Sequence, residues 1–153
     1  MDTNPPRGPL IPPVYLIVAL ALMALLHWFL PLVQILDNPY RYAGAALILL
    51  SLALGFFAVY LFRRADTGVV PFTEIKAFIV AGPYRFTRNP MYLAMAGLLI
   101  GTGVLFGSLA PFLVIPVFMA LIEWRFILAE EALLAEQFGE SYAEYRKRVR
   151  RWL

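Results

Sequence analysis

VYLIVALALMALLHWFLPLVQIL, residues Val14 to Leu36, contains no Asp, Glu, Lys or Arg. A helix that crosses a bilayer needs about 20 mainly apolar residues, and this run is long enough. The whole composition agrees: 61% of the 153 residues are hydrophobic, 15% are charged, and the mean hydropathy is +0.73. Soluble domains are only about half apolar, so the bilayer is the expected solvent and one domain is expected at this length. The first thirteen residues carry Pro5, Pro6, Pro9, Pro12 and Pro13. That is not the positive start of a cleavable signal peptide, so the run is read as retained. Pro31 is expected to bend the helix, and His27 to pack against a neighbouring helix without a chemical role.

Working outward, the turn Asp37 to Tyr40 (DNPY) leads into a second apolar run, Tyr42 to Phe62, whose Gly44, Ala45, Ala46 and Gly55 suit close helix packing. The segment 63–90 is polar, basic and interrupted by Pro71 and Pro83. A connector of that length without regular structure points to function. A third span follows at Met91 to Leu109, with Gly97 and Gly101 on one helical face, and a fourth at Pro111 to Leu128. The last stretch, 129–153, alternates charges with apolar and aromatic residues. Glu131, Phe138 and Tyr145 are seven apart and would share a stripe beside Leu134, unless Gly139 interrupts the helix. The predicted fold is an all-α integral membrane protein: four transmembrane helices (about 14–36, 42–62, 91–109 and 111–128), a cytoplasmic loop 63–90 and a C-terminal amphipathic helix 129–153 that together close a pocket.

Orientation follows from charge. With four spans, the N-terminus, the 63–90 loop and the tail share one side, which collects every Lys and Arg of the thirteen except Arg41 and Arg125. The positive-inside rule places that side in the cytoplasm, termini included. Loop and tail, far apart in sequence, are thereby brought to one membrane face.

Several chemistries are excluded. Zero cysteines rule out disulfides and thiolate metal sites, and the single His27 rules out a histidine cluster, so no metal is expected. There is no Rossmann or P-loop glycine pattern and no serine, histidine and acid set near the loop. Nothing in the chain has the form of a nucleic-acid-reading module. What the loop and tail do offer is Tyr84, Arg85, Arg88, Asn89 and Tyr92 with Arg125, Glu130, Glu131, Tyr142 and Tyr145. Arginine pairs with carboxylate, carboxylates accept from ammonium, and tyrosine faces attract a positive centre, a set suited to a zwitterionic, cationic ligand. Anchoring to anionic headgroups is the alternative use of these arginines, and Arg146 to Arg151 (RKRVRR) would serve it.

The run GPYRFTRNPMY at Gly82 to Tyr92, followed by a glycine-rich hairpin and then by WRF, EE, FG, two tyrosines and RVRRWL, resembles the isoprenylcysteine carboxyl methyltransferase family and the related phospholipid methyltransferases. The resemblance covers about Val70 to Leu153. It implies an integral membrane enzyme that uses S-adenosylmethionine, releases S-adenosylhomocysteine and takes a lipophilic acceptor from the bilayer. It further implies that Phe78, Ile79 and Val80 and the turn Gly82, Pro83 and Tyr84 wrap the cofactor. Arg88, Asn89, Pro90 and Tyr92 match the family's RHPxY element at the cofactor, with asparagine in place of histidine, so no titrating group is available there, although the amide can still hydrogen-bond the cofactor. Glu130 and Glu131 match its paired acids, Tyr142 and Tyr145 its tail tyrosines, and Arg125 an arginine on the substrate side. Arg125 and Glu131 are the catalytic candidates that this resemblance implies. A compact four-span chain points to a prokaryotic-type member in an inner membrane, with bilayer lipids as partners. Competing readings are a phospholipid N-methyltransferase, a small four-span transporter and a binding protein without turnover; Glu123 and Arg125 lie towards one end of a span, which counts against transport.

Overall fold

A computed structural model describes residues 11–30, 32–65 and 78–153, which form five α-helices joined by turns, with no strand among the described residues. Residues 66–77, part of the expected cytoplasmic loop, lie outside the described residues. Helix α1, Pro12–Phe29, opens on two prolines at positions where a missing N–H costs nothing. It was expected to continue to Leu36 with a bend at Pro31. Instead it ends at Phe29, with Leu30 already non-helical at φ −142°, ψ 63°. The residue before a proline is pushed out of the helical region, so the expected bend is an end. From Leu32 the chain is irregular and is tied to the segment 107–109, where Ile35 and Leu36 N–H both donate to the Gly107 carbonyl and Leu109 N–H donates to the Val33 carbonyl.

Helix α2, Tyr42–Arg64, packs chiefly along α3, Pro90–Phe106. The approach is close because the facing residues are small. A Cβ added to Gly44 would lie 2.6 Å from the Leu105 backbone nitrogen, and one on Gly101 would lie 2.8 Å from the Gly44 carbonyl oxygen. Helix α3 starts on Pro90 and stops at Gly107, which takes φ +73°. Its 17 residues give roughly 26 Å of helix, a little short of the ~30 Å hydrocarbon thickness. Among the described residues three helices are long and apolar enough to cross a membrane, Pro12–Phe29, Tyr42–Arg64 and Ala110–Arg148, against the four expected; Pro90–Phe106 is apolar but shorter.

The third of these is continuous but composite. A 3-10 turn at Ala110–Leu113 enters α4, Val114–Ile122; a π turn at Glu123–Ile127 then leads into α5, Leu128–Arg148. Such a length is about twice the bilayer core, and its apolar part ends near Leu128, so α5 projects beyond it. Gly139, at φ 51° and ψ −122°, breaks α5 as its position in the sequence suggested. Met23, Leu99, Phe118, Ile122 and Ile127 fill the core, while Ile17, Leu25, Leu49, Leu50, Phe56 and Val117 face outward. Helices apolar on all sides are at home in lipid. His27 packs as expected, its Nδ1 2.7 Å from Ser108 Oγ and its ring stacked on Phe106.

Candidate functional site

At the end of the bundle where α2 finishes and α3 begins, a cavity of about 630 Å³ opens between α1, α2, α3, the segment 78–90 and α5. That is within the roughly 300–1,000 Å³ range of small-molecule sites. One half is apolar, from Leu16, Leu52, Gly55, Phe56 and Val59 on α1 and α2 to Ala94 and Leu98 on α3. The other half is polar and aromatic. It gathers Phe78, Ile79, Tyr84, Arg88, Asn89, Pro90, Tyr92, Glu130, Glu131, Tyr142 and Tyr145, so residues from both sequence blocks line one cavity. Val80, Gly82 and Pro83 are not part of the lining. Gly82 has φ +60°, and a Cβ there would meet Phe57 and Leu61 at 3.0 Å, so its place is the turn that aims Tyr84 inward. Arg125 lies in the π turn, partly exposed, and does not line the cavity either.

The aromatic wall is one cluster. The Phe78 ring lies 4.9 Å from Phe138, 5.8 Å from Tyr142 and 5.7 Å from Tyr145. Tyr145 Oη donates to the Tyr84 carbonyl at 2.7 Å, which fixes the Gly82–Arg85 turn against α5. Burial pushes the Tyr142 and Tyr145 phenols up to about 12, and pushes Tyr84 up as well, so all three are neutral donors over the physiological range.

The paired acids divide into two unlike groups. Glu131 is buried, and both its oxygens are engaged: Oε1 is ion-paired with Arg88 at 2.9 Å and accepts from Arg151 Nε at 3.0 Å, and Oε2 accepts from Arg151 at 2.8 Å. Glu130 has no cationic partner among the described residues and accepts only from Tyr92 Oη, at 2.7 Å. Burial pushes its carboxyl up to about 7; the Tyr92 bond opposes that and the Glu131 charge adds to it. Arg88 is nine-tenths buried, and its Nε is the one buried side-chain polar atom without a partner among the described residues. A buried donor left unpaired costs about 1–3 kcal/mol, which an acceptor atom entering the cavity would relieve. Thus Arg88, whose buried Nε has no partner among the described residues, and Glu130, which has no cationic partner among them, line one cavity among tyrosines. That donor set fits the zwitterionic end and the cationic sulfur of S-adenosylmethionine.

Sequence reasoning missed how this wall is held. Thr87 pairs with Arg150 in an isolated parallel bridge, and Arg88 N–H donates to the Arg150 carbonyl at 2.9 Å. Thr87 Oγ1 and Asn89 Nδ2 both donate to the Arg151 carbonyl, at 3.1 and 3.0 Å. The amide of Asn89, expected to be available to a cofactor, is therefore engaged with the tail through its nitrogen. Arg151 also reaches Glu123, as does Trp152 Nε1 at 2.9 Å. In sequence Arg151 is one cation in a basic run, with nothing local to single it out.

Residues 40–141 match the family model described as phospholipid methyltransferase. One curated relative is the Protein-S-isoprenylcysteine O-methyltransferase of Schizosaccharomyces pombe, 31% identical over 112 residues, a match that covers 63% of this chain and 46% of that protein. Another, 33% identical over 63 residues, is an uncharacterized protein of Haemophilus influenzae, matched over 41% of this chain and 100% of its own length. The chain thus spans less than half the length of the first relative. No solved structure matches.

Proposed function

The chain is a member of the phospholipid methyltransferase family, and from that premise we propose that it transfers a methyl group from S-adenosylmethionine to a lipophilic acceptor drawn from the bilayer. The observation that carries this reading is the divided cavity: Arg88, Glu130 and a tyrosine cluster in one half, and an apolar half shaped by helices long enough to lie in lipid. Arg88 Nε donates to the carboxylate of the cofactor's amino acid, and Glu130 accepts from its ammonium. Tyr84, Tyr92, Tyr142 and Tyr145 present electron-rich rings to the positive sulfur. When bound, S-adenosylmethionine supplies a methyl already activated by the sulfonium. The protein's task is to hold the acceptor in line with it and keep water away. The apolar half takes the acceptor's hydrocarbon, with Pro90–Phe106 as a fourth membrane helix and the polar half on the cytoplasmic side.

A carboxylate is the first acceptor proposed, because it is ionised at pH 7 and needs no base. The name of the Schizosaccharomyces pombe relative, an O-methyltransferase, likewise points to an oxygen acceptor. An amine headgroup is the second; in that reading Glu130, which lines the cavity with a raised carboxyl, takes the acceptor's proton in place of holding the cofactor's ammonium. Radiolabelled S-adenosylmethionine incubated with the detergent-purified protein and a bilayer lipid extract separates these. Label in the organic phase released as methanol by base marks an ester, and base-stable label marks an amine. If no label enters the lipid phase from any extract, the proposal is wrong.

A further inference from the structure

We propose that Arg151 is a positioning residue that gives Arg88 its affinity for an anion in the cavity; this rests on the reading of that cavity as an S-adenosylmethionine site. Three guanidinium contacts converge on Glu131, and they are unequal. Arg151 makes the paired contact, Nε to Oε1 and its terminal nitrogen to Oε2, while Arg88 makes one, to Oε1. Two parallel N–H···O bonds in the plane of a carboxylate form the stronger, more directional arrangement, so Arg151 is the principal counter-charge of Glu131. Its remaining nitrogen reaches Glu123, which also accepts from Trp152. Arg151 thus bridges two acids and is held from both sides.

The consequence falls on Arg88. With Glu131 already compensated, the Arg88 charge is only partly neutralised, and its buried Nε has no partner among the described residues. Such a group attracts an incoming carboxylate. Without the Arg151 side chain, Glu131 and Arg88 become a closed pair, and a ligand carboxylate meets a neutral wall with a second negative charge behind it.

The backbone of the same residue sets the geometry. The Arg151 carbonyl accepts from Thr87 and Asn89, the neighbours of Arg88 on either side. Replacing only the side chain leaves that clamp, and the Trp152 to Glu123 bond, in place. The electrostatic role can therefore be tested without releasing the segment.

The test compares S-adenosylhomocysteine with its decarboxylated analogue, which keeps the ammonium and lacks the carboxylate, by calorimetry on the detergent-purified full chain. The parent should prefer S-adenosylhomocysteine by about tenfold or more, the strength of a charge-assisted bond. In Arg151→Ala the preference should fall to within about threefold, through loss of affinity for S-adenosylhomocysteine, and Arg151→Lys should restore part of it. A purely structural role would weaken both ligands alike and keep their ratio. A ratio in Arg151→Ala equal to the parent's, or a parent with no preference, overturns the proposal while leaving the methyltransferase reading intact. A parent that binds neither ligand refutes both.

Discussion

Exchanging each of the paired acids for glutamine in turn should produce opposite phenotypes. Glu131→Gln keeps the volume and removes the charge, leaving Arg88, with 10% of its side chain exposed, and Arg151, with 28%, without their shared counter-charge. Removing one partner of a buried ion pair costs about 3–5 kcal/mol, because the surviving charge stays desolvated. Glutamine oxygen still accepts one arginine N–H and Arg151 keeps Glu123, so the lower end, about 3 kcal/mol, is expected. Glu130→Gln removes a carboxyl that has no cationic partner among the described residues, and its amide oxygen still accepts from Tyr92. Its effect on stability should stay within about 1 kcal/mol. Its effect on ligand is larger: loss of a charged acceptor for an ammonium should weaken S-adenosylhomocysteine by about tenfold or more. Thermal unfolding of the two detergent-purified variants, followed by calorimetry, measures both. An unfolding midpoint for Glu131→Gln equal to the parent's, or a Glu130→Gln that unfolds early and binds ligand normally, would refute this division of labour.

Three further outcomes are expected. The Glu130 carboxyl is raised from 4.5 to about 7 in the folded chain, so without ligand its contribution to stability is full below its ordinary value and is lost as pH rises through about 7. The groups that bear on it are Tyr92, Glu131 and Tyr84. An ammonium ligand needs the carboxylate, so S-adenosylhomocysteine affinity should rise towards about tenfold per pH unit below 7 and level off above it; calorimetric titrations from pH 5.5 to 8 check this, and Glu130→Gln should flatten the profile. Gly139→Ala meets no atom within 4 Å, yet a side chain at φ 51°, ψ −122° is strained, so about 1–3 kcal/mol of stability should be lost in thermal unfolding with no steric clash. Arg125→Ala, outside the cavity lining, should leave S-adenosylhomocysteine affinity within about threefold; slowed methyl transfer at unchanged affinity would assign it to the acceptor, and a parent rate would remove it from the mechanism.

The helical membrane architecture was legible because lipid demands long uncharged runs: Tyr42 to Phe62 matches α2, while of Val14 to Leu36 only the part up to Phe29 is helix. Gly44, Gly97 and Gly101 likewise announced close packing, and Gly139 a break. Charge counting placed loop and tail on one face, and their contact through Thr87 and Arg150 is observed. What remained hidden depends on tertiary placement. Pro31 signals a disturbance, but whether a helix bends or stops depends on what receives the chain, here the end of α3 at Gly107. Glu130 and Glu131 are chemically identical in sequence; only the return of the chain after Gly139, which carries Arg151 to Glu131, separates a compensated acid from an uncompensated one. Arg125 carried a family match, yet it lies in a π turn and not in the cavity lining, neither of which local sequence reveals.

The central claim, that the cavity between segment 78–90 and α5 holds S-adenosylmethionine, is tested most directly by calorimetric titration of the detergent-purified parent and Arg88→Ala with S-adenosylhomocysteine. The account predicts one site per chain in the parent and binding weakened by about tenfold or more in Arg88→Ala. Absence of binding in the parent, or unchanged binding in Arg88→Ala, would contradict it.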